Sequence, residues 1–253
     1  MRKKFLLIPI SILLISALIA GLYAANMFGY LNEGNSSRYS VENTKSIDSP
    51  LEGKKIIFLG SSVTYGFASK GESFVNYMVK RDGITAVKEA KSGTTLVDDS
   101  SDSYISRMKR IDTKTEADMF ICQLSTNDAT KGKELGSVID SFNIDDFDTH
   151  TVAGAIEYII SYAQSVWDCP VVFYTSPKYD SENYEGMVKL LSEIKAKWNI
   201  AVIDLWNNKE ISSLADKKDI MNDNIHPTRK GYRDYWTPVF EEFLVTYFQD
   251  KQL

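Results

Sequence analysis

The stretch Lys55-Ile56-Ile57-Phe58-Leu59-Gly60-Ser61-Ser62 joins an apolar run to a glycine and two serines. An apolar run of this length is typical of a strand that is buried on both faces of a parallel sheet. Further short runs predict four more strands, at residues 84–87, 119–124, 171–174 and 200–203. Longer amphipathic segments between and after them predict helices over residues 72–81, 152–167, 184–198 and 228–248.

Strands that alternate with helices predict right-handed crossovers and helices on both sides of the sheet. The fold class expected is therefore α/β, a flavodoxin-like three-layer α/β/α domain with a five-stranded parallel sheet. In such sheets, ligands bind beyond the carboxyl ends of the strands. Ser62, Gly93, Asn127 and a late loop with Asp223 and His226 all follow predicted strands at that edge.

These residues lie in four short blocks whose order resembles that of the SGNH (GDSL-type) hydrolases. The blocks are Gly60-Ser61-Ser62, Lys91-Ser92-Gly93-Thr94-Thr95, Ser125-Thr126-Asn127-Asp128 and Asp223-Asn224-Ile225-His226. Each block alone is a weak signal, but four in the family's order over one domain are a strong one. The resemblance covers essentially all of residues 51–253.

The resemblance implies a serine esterase with a Ser-His-Asp triad. Ser62 would be the nucleophile, His226 the base, and Asp223 the residue that orients the imidazole. The backbone N–H groups of Ser62 and Gly93, with the Asn127 side chain, would form the oxyanion hole. These roles agree with the chemistry of ester cleavage. A serine hydroxyl needs an imidazole to accept its proton, and the tetrahedral intermediate needs hydrogen-bond donors aimed at its oxygen. No metal or organic cofactor is expected.

Two positions depart from the family pattern. Ser61 stands where the first block usually has Asp, and Ser125 where the third usually has Gly. Neither replaced residue transfers a proton in this mechanism, so we expect altered loop packing rather than lost activity. The other histidine, His150, is expected to be a solvated residue near a helix start.

The N-terminus predicts a membrane anchor. Arg2, Lys3 and Lys4 precede a long apolar run from Phe5, and no further charge occurs before Glu33. Such a run is long enough to span a bilayer, and the positive charge before it predicts a cytoplasmic amino end. The expected organisation is an anchor or uncleaved signal over residues 1–31, a polar linker over 32–50, and a hydrolase domain over 51–253. The domain would then be extracytoplasmic, and secreted if the first segment is cleaved.

The charge and composition of the chain argue against one class of binding partner. A net charge of −5 without a concentrated basic face argues against nucleic acid. Cys122 and Cys169 are expected to be separate buried thiols, because the predicted strand register places them too far apart for a disulfide.

The function expected is hydrolysis of O-acetyl or other short acyl esters on envelope glycans. Alternatives are a lipase or lysophospholipase-type esterase, an O-acyltransferase with the same triad, and a non-catalytic glycan-binding module. Nothing in the sequence indicates an oligomeric state.

Overall fold

A five-stranded parallel sheet forms the centre of the protein. The computed structural model describes residues 4–214 and 216–250, with the side chains of the first helix described from residue 12. The strands are β1 (Lys55–Gly60), β2 (Thr85–Ala90), β3 (Met119–Gln123), β4 (Val171–Tyr174) and β5 (Ala201–Ile203). All neighbours are parallel and their order is β2-β1-β3-β4-β5. The predicted flavodoxin-like sheet is confirmed.

The main strand error is at β2, which was predicted over residues 84–87 and extends to Ala90. β2 lies at one edge of the sheet, and its second half contains Lys88 and Glu89. An edge strand tolerates charged side chains because one of its sides faces solvent. An apolar run therefore marks only the first half of this strand.

The helices include every predicted one; the bounds of 152–167 are as predicted and those of the others are shifted. They are α1 (Lys4–Met27), α2 (Ser62–Tyr65), α3 (Phe74–Asp82), α4 (Tyr104–Met108), α5 (Thr126–Thr130), α6 (Val152–Trp167), α7 (Glu182–Trp198), α8 (Lys209–Ser212), α9 (Arg229–Gly231) and α10 (Thr237–Asp250). The predicted single helix over 228–248 is interrupted by a π-helical turn, Tyr232–Trp236. This turn buries Tyr232, whose hydroxyl donates to the Val63 carbonyl at 2.7 Å and so ties the last helices to α2.

Two apolar layers cover the sheet, because successive strand side chains point to opposite faces. Ile57 and Leu59 face the layer formed by α4, α6 and α7. Phe58 faces the layer of α3 and α10, where Phe74 and Phe240 stack with ring centroids 4.0 Å apart. Helices on both faces leave the carboxyl edge of the strands open for a site.

The polar segment 32–50 is folded against the domain, so its prediction as a tether is wrong. It forms two 3-10 turns, Glu33–Asn35 and Ser37–Tyr39, and it buries Asn35, Thr44 and Ser49. The polar side chains that suggested a solvated linker are used as hydrogen-bonding groups instead. Ser49 Oγ, for example, donates to Asp82 Oδ1 at 2.8 Å.

Within residues 12–214 and 216–250, no helix is both long and apolar enough to cross a membrane. The predicted anchor begins in residues 1–11, which lie outside that part of the chain, and it stays a prediction.

Both cysteines are buried and unpaired, as expected. Cys122 lies opposite Phe173 in the β3–β4 register, and Cys169 comes four residues before Phe173. At about 3.3 Å per strand residue this stagger is roughly 13 Å, beyond the reach of a disulfide.

Candidate active site

Ser62, His226 and Asp223 form a continuous hydrogen-bonded chain at the carboxyl edge of the sheet. Ser62 Oγ lies 2.8 Å from His226 Nε2, and His226 Nδ1 lies 2.8 and 2.9 Å from the two Asp223 carboxylate oxygens. A carboxylate on one side requires an Nδ1–H donor, which leaves Nε2 free to accept the serine proton. Residues that are 164 positions apart in the sequence thus meet at bonding distance.

The Asp223–His226 pair is organised locally, as its spacing suggests. Asp223 Oδ1 also accepts from the backbone N–H groups of Ile225 and His226, each at 2.8 Å. The loop is closed by Asn222 N–H, which donates to the His226 carbonyl at 2.8 Å. The carboxylate therefore caps the turn that presents the imidazole.

The environment of Asp223 favours its charged form. Burial raises the pKa of this carboxyl, but hydrogen bonds from the His226 ring and from backbone N–H groups outweigh burial. The pKa of Asp223 consequently lies below its ordinary value. A negative charge is thus held beside the imidazole across the neutral pH range.

Ser62 is the first residue of α2, directly beyond β1, and its side chain is nearly buried. The turn before it is held by Gln123, a residue that sequence reasoning missed. Gln123 Oε1 accepts from Ser61 N at 2.9 Å and from Thr64 Oγ1 at 2.9 Å. A glutamine at the end of a fully buried strand is the one sequence signal that marks this role, because a buried amide needs partners.

Gly93 and Asn127 lie beyond β2 and β3, next to each other. Asn127 Nδ2 donates to the carbonyl of Thr94, the residue after Gly93, at 3.0 Å. The second N–H of this amide, and the backbone N–H groups of Ser62 and Gly93, have no acceptor among the described residues. These are the donors that an oxyanion site requires.

A buried arginine that the sequence analysis did not identify links the strand before Ser62 to the loop that carries Gly93. Arg107 is 1% exposed, and its guanidinium donates to the Gly60 carbonyl at 2.8 Å and to Thr94 Oγ1 at 3.1 Å. It also donates to the Glu89 carbonyl at 3.0 Å. The strand that leads to Ser62 and the loop that carries Gly93 are therefore fixed to one rigid group.

Asp128 holds the same loop from the other side. Its carboxylate accepts from the backbone N–H groups of Leu96 and Val97 at 2.8 and 3.1 Å. Burial raises the pKa of Asp128 above its ordinary value, against hydrogen bonds that lower it. Asp128 therefore acts on the position of this loop and makes no contact with Ser62 or His226 among the described residues.

The two departures from the family pattern are accommodated by packing. Ser125 is buried, and its hydroxyl accepts from Asn127 N at 3.2 Å and so caps α5. Ser61 is fully buried, and its hydroxyl lies against the buried Tyr104 hydroxyl. Neither residue displaces Ser62 or Asn127.

His150 lies away from the site, as expected. Its side chain is 77% exposed and its nearest charged partner is Asp148. Within the described part of the chain, no cluster of three or more His, Cys, Asp or Glu side chains is arranged to hold a metal ion.

Comparison with known proteins shows the family of the chain. The sequence model of the GDSL-like lipase/acylhydrolase family matches residues 58–233. The chain belongs to this family. As a GDSL-type protein it is expected to be a hydrolase, and the recognition of an SGNH fold from four blocks is confirmed.

Solved structures show the same fold at low sequence identity. The lipase/acylhydrolase from Enterococcus faecalis is 20% identical with a TM-score of 0.55, over 76% of this chain and 96% of that one. A member of the lipolytic protein G-D-S-L family from Veillonella parvula DSM 2008 is 16% identical with a TM-score of 0.56, over 76% and 98%. None of the curated proteins compared with the chain matches it. These GDSL-type neighbours therefore support the fold and not a particular substrate.

Proposed function

We propose that this GDSL-type protein is a serine ester hydrolase that acts through an acyl-enzyme on Ser62. The observation that carries the proposal is the unbroken chain from Ser62 Oγ through the His226 imidazole to the Asp223 carboxylate. A nucleophile, a base and an orienting acid in hydrogen-bond contact form the arrangement that nucleophilic acyl transfer requires.

The proposed reaction has two halves. Ser62 Oγ attacks the acyl carbonyl carbon while His226 Nε2 takes the serine proton, and the same proton then passes to the departing alcohol. Water attacks the acyl-enzyme, gives a proton to His226, and Ser62 recovers it as the acid leaves. In both halves the N–H groups of Ser62, Gly93 and Asn127 stabilise the negative oxygen.

The substrate we propose is a short acyl ester, such as an O-acetyl group, on a cell-envelope glycan. The proposal depends on an anchored, outward-facing domain, with Arg2, Lys3 and Lys4 on the cytoplasmic side. In support, the apolar side chains of the described part of α1 are largely exposed, Leu13 at 73% and Leu18 at 64%. Exposed apolar side chains on consecutive helix turns are typical of a surface that contacts a membrane or another protein.

A lipid ester is the second candidate, because exposed apolar residues lie close to His226. The Phe67 ring is 5.3 Å from the imidazole, Phe28 packs on Phe67 at 5.1 Å, and Tyr30 and Leu31 beside it are 62% and 58% exposed. An apolar surface next to the reacting groups suits an acyl chain or a membrane surface.

The test is covalent labelling of the full-length protein with a fluorophosphonate, which reacts with activated serines. We expect labelling of the wild type and none of Ser62→Ala, and release of acetate from acetylated glycans faster than release of fatty acid from phospholipids. The reverse order of rates would favour the lipid ester, and transfer of acetate to an added glycan would indicate an acyltransferase. Absence of both labelling and hydrolysis would leave the glycan-binding module.

A further inference from the structure

A short segment that begins in the last turn of α1 lies directly against the loop that carries Asp223 and His226. We name residues 26–35 the N-terminal clasp and residues 218–229 the histidine loop. Asn32 Nδ2, in the clasp, donates to the Lys218 carbonyl at 2.7 Å and to Asn222 Oδ1 at 3.2 Å. Asn222 Nδ2 donates in return to two backbone carbonyls of the clasp, both at 3.3 Å.

Asn35 is the central residue of this contact. Its side chain is buried, donates to the Gly29 carbonyl at 2.8 Å and to the Ala68 carbonyl at 2.6 Å, and accepts from Arg229 N at 2.8 Å. One amide therefore connects the clasp, the turn that follows the Ser62 helix, and the end of the histidine loop. Because the amide has no freedom to move without losing these bonds, it fixes the distance between the two loops.

Two glycines make this close approach possible. A Cβ at Gly34 would lie 1.9 Å from the Asp219 carbonyl oxygen. Gly29 has φ +72°, and a Cβ there would lie 2.1 Å from the Ala68 carbonyl oxygen. The clasp thus contacts both loops through backbone atoms, at separations that any side chain would prevent.

The clasp also reaches the imidazole through stacked rings. Phe28 contacts Phe67, which precedes Ala68 and contacts the His226 ring. The family match begins at residue 58, so the clasp lies outside the part of the chain that the family shares.

We propose that Asn35 is a positioning residue, and that the N-terminal clasp is a working part of the active site. By holding Ala68 and Arg229 together, Asn35 keeps the His226 imidazole on the Ser62 hydroxyl. The inference rests on the proposed function in that the turnover it explains is ester cleavage at Ser62.

The test uses the full-length chain with Asn35→Ala and, as matched control, Asn43→Ala. Asn43 lies in the same N-terminal region, and among the described residues its side chain bonds to Ser37 and Ser40 alone, away from both loops. Since small displacements of reacting groups cost about 10- to 100-fold in rate, we expect Asn35→Ala to lower kcat for p-nitrophenyl acetate by that factor with KM nearly unchanged. Fluorophosphonate labelling of the folded protein should slow in parallel, and Asn43→Ala should match the wild type.

Hydrogen exchange gives a readout that does not need activity. In Asn35→Ala, the amides of residues 66–70 and 218–229 should exchange faster, while those of α6 keep their wild-type rates. If Asn35→Ala fails to fold, the proposal is tested by the same measurements on Asn32→Ala, a less buried member of the clasp.

Wild-type kcat per folded molecule in these variants, or faster exchange spread evenly over the whole domain, would overturn the proposal. If the wild type neither labels nor hydrolyses esters, the proposed function fails instead, and the exchange pattern still decides whether the clasp holds the two loops.

Discussion

His226 is the residue that connects the reacting atoms to the rest of the fold. One ring nitrogen faces Ser62 and the other faces a carboxylate whose pKa is held below its ordinary value. In the proposed reaction, a negative Asp223 would stabilise the imidazolium that forms when the serine proton moves. The same carboxylate caps the loop through two backbone N–H groups, so position and charge are supplied by one side chain.

Ser62 and His226 are expected to act as one unit. Ser62→Ala and His226→Ala should each lower kcat by about 10⁴- to 10⁶-fold, and the double variant should be little worse than either, because removing one member already disables the other. Asp223→Ala should lose less, since it orients the ring without exchanging the reacting proton. The measurement is steady-state ester hydrolysis, with His150→Ala as the control at wild-type rate. Multiplicative losses in the double variant would contradict a shared mechanism.

Asn127 is expected to act in the transition state. Asn127→Ala should lower kcat by about 100- to 1,000-fold and leave KM almost unchanged, because an oxyanion donor bonds only the oxygen that becomes negative. Asn183→Ala is the matched control, since Asn183 Nδ2 likewise donates to one backbone carbonyl, that of Ala129 on the neighbouring helix. A loss confined to KM would assign Asn127 to substrate binding instead.

Among the elements, the segment before β1 has the largest unexpected role. Its backbone and side chains reach α3 as well as the two loops of the site: Val41 N donates to Glu72, and the Tyr77 hydroxyl donates to the Tyr39 carbonyl. Glu72 in turn pairs with Arg229, three residues after His226. The segment thus belongs to the packed domain, although it precedes the first strand.

A chain that begins at residue 51 is accordingly expected to be less stable than one that begins at residue 26. The shorter chain removes one hydrogen-bond partner from each of Asp82, Tyr77 and Ala68. A buried polar group that is left unpaired costs about 1 to 3 kcal/mol. Urea unfolding of the two chains measures the difference. Equal free energies of unfolding would mean that residues 26–50 add nothing to the fold.

At the level of the whole molecule, α3 and α10 share a buried acidic contact whose protonation depends on pH. Burial, followed by a hydrogen bond to Asp82, raises the pKa of Glu241 to about 8, while Arg81 acts in the opposite direction. The Arg81 Nε to Glu241 Oε1 distance is 2.9 Å. In the native state the carboxyl therefore holds a proton that an unfolded chain, with its ordinary pKa of 4.5, would release.

The stability contributed by this group is full below about pH 4.5 and is lost as the pH rises towards 8, because the native state binds the extra proton. Glu241→Gln, which stays neutral, should remove part of that pH dependence. The slope of unfolding free energy between pH 5 and pH 7.5 should become less negative, by at most about 1.4 kcal/mol per pH unit. The control is Glu242→Gln at the exposed neighbouring position. An unchanged slope in Glu241→Gln would mean that the carboxyl is ionised in the native protein.

The full-length protein is expected to fractionate with membranes and to resist extraction by salt or carbonate, because about 20 apolar residues are enough to span a bilayer. Immunoblotting of membrane and soluble fractions measures this. Deletion of residues 1–25 should move the protein to the soluble fraction. A main species cut near Ala25 and free in the medium would contradict the anchor.

The elements and reacting residues are predictable because their signals are local. Apolar runs mark buried strands, and four of the five strands are predicted to within one residue at each end. Asp223 and His226 meet within one turn, so their spacing alone suggests the contact. Ser62, Gly93 and Asn127 could be placed together because parallel strands present their carboxyl ends at one edge.

The residues that hold the site in place could not be predicted, because their contacts are distant in the sequence. Gln123, Arg107 and Asn35 act on segments 13 to 194 positions away, and a single buried polar side chain leaves no periodic pattern. The polar composition of residues 32–50 led to the wrong prediction of a linker. A polar side chain that faces solvent in a linker and one that bonds to a distant backbone group are the same residue in the sequence. Only the folded chain supplies the carbonyl and N–H groups that distinguish the two, and with them the geometry that holds His226 against Ser62.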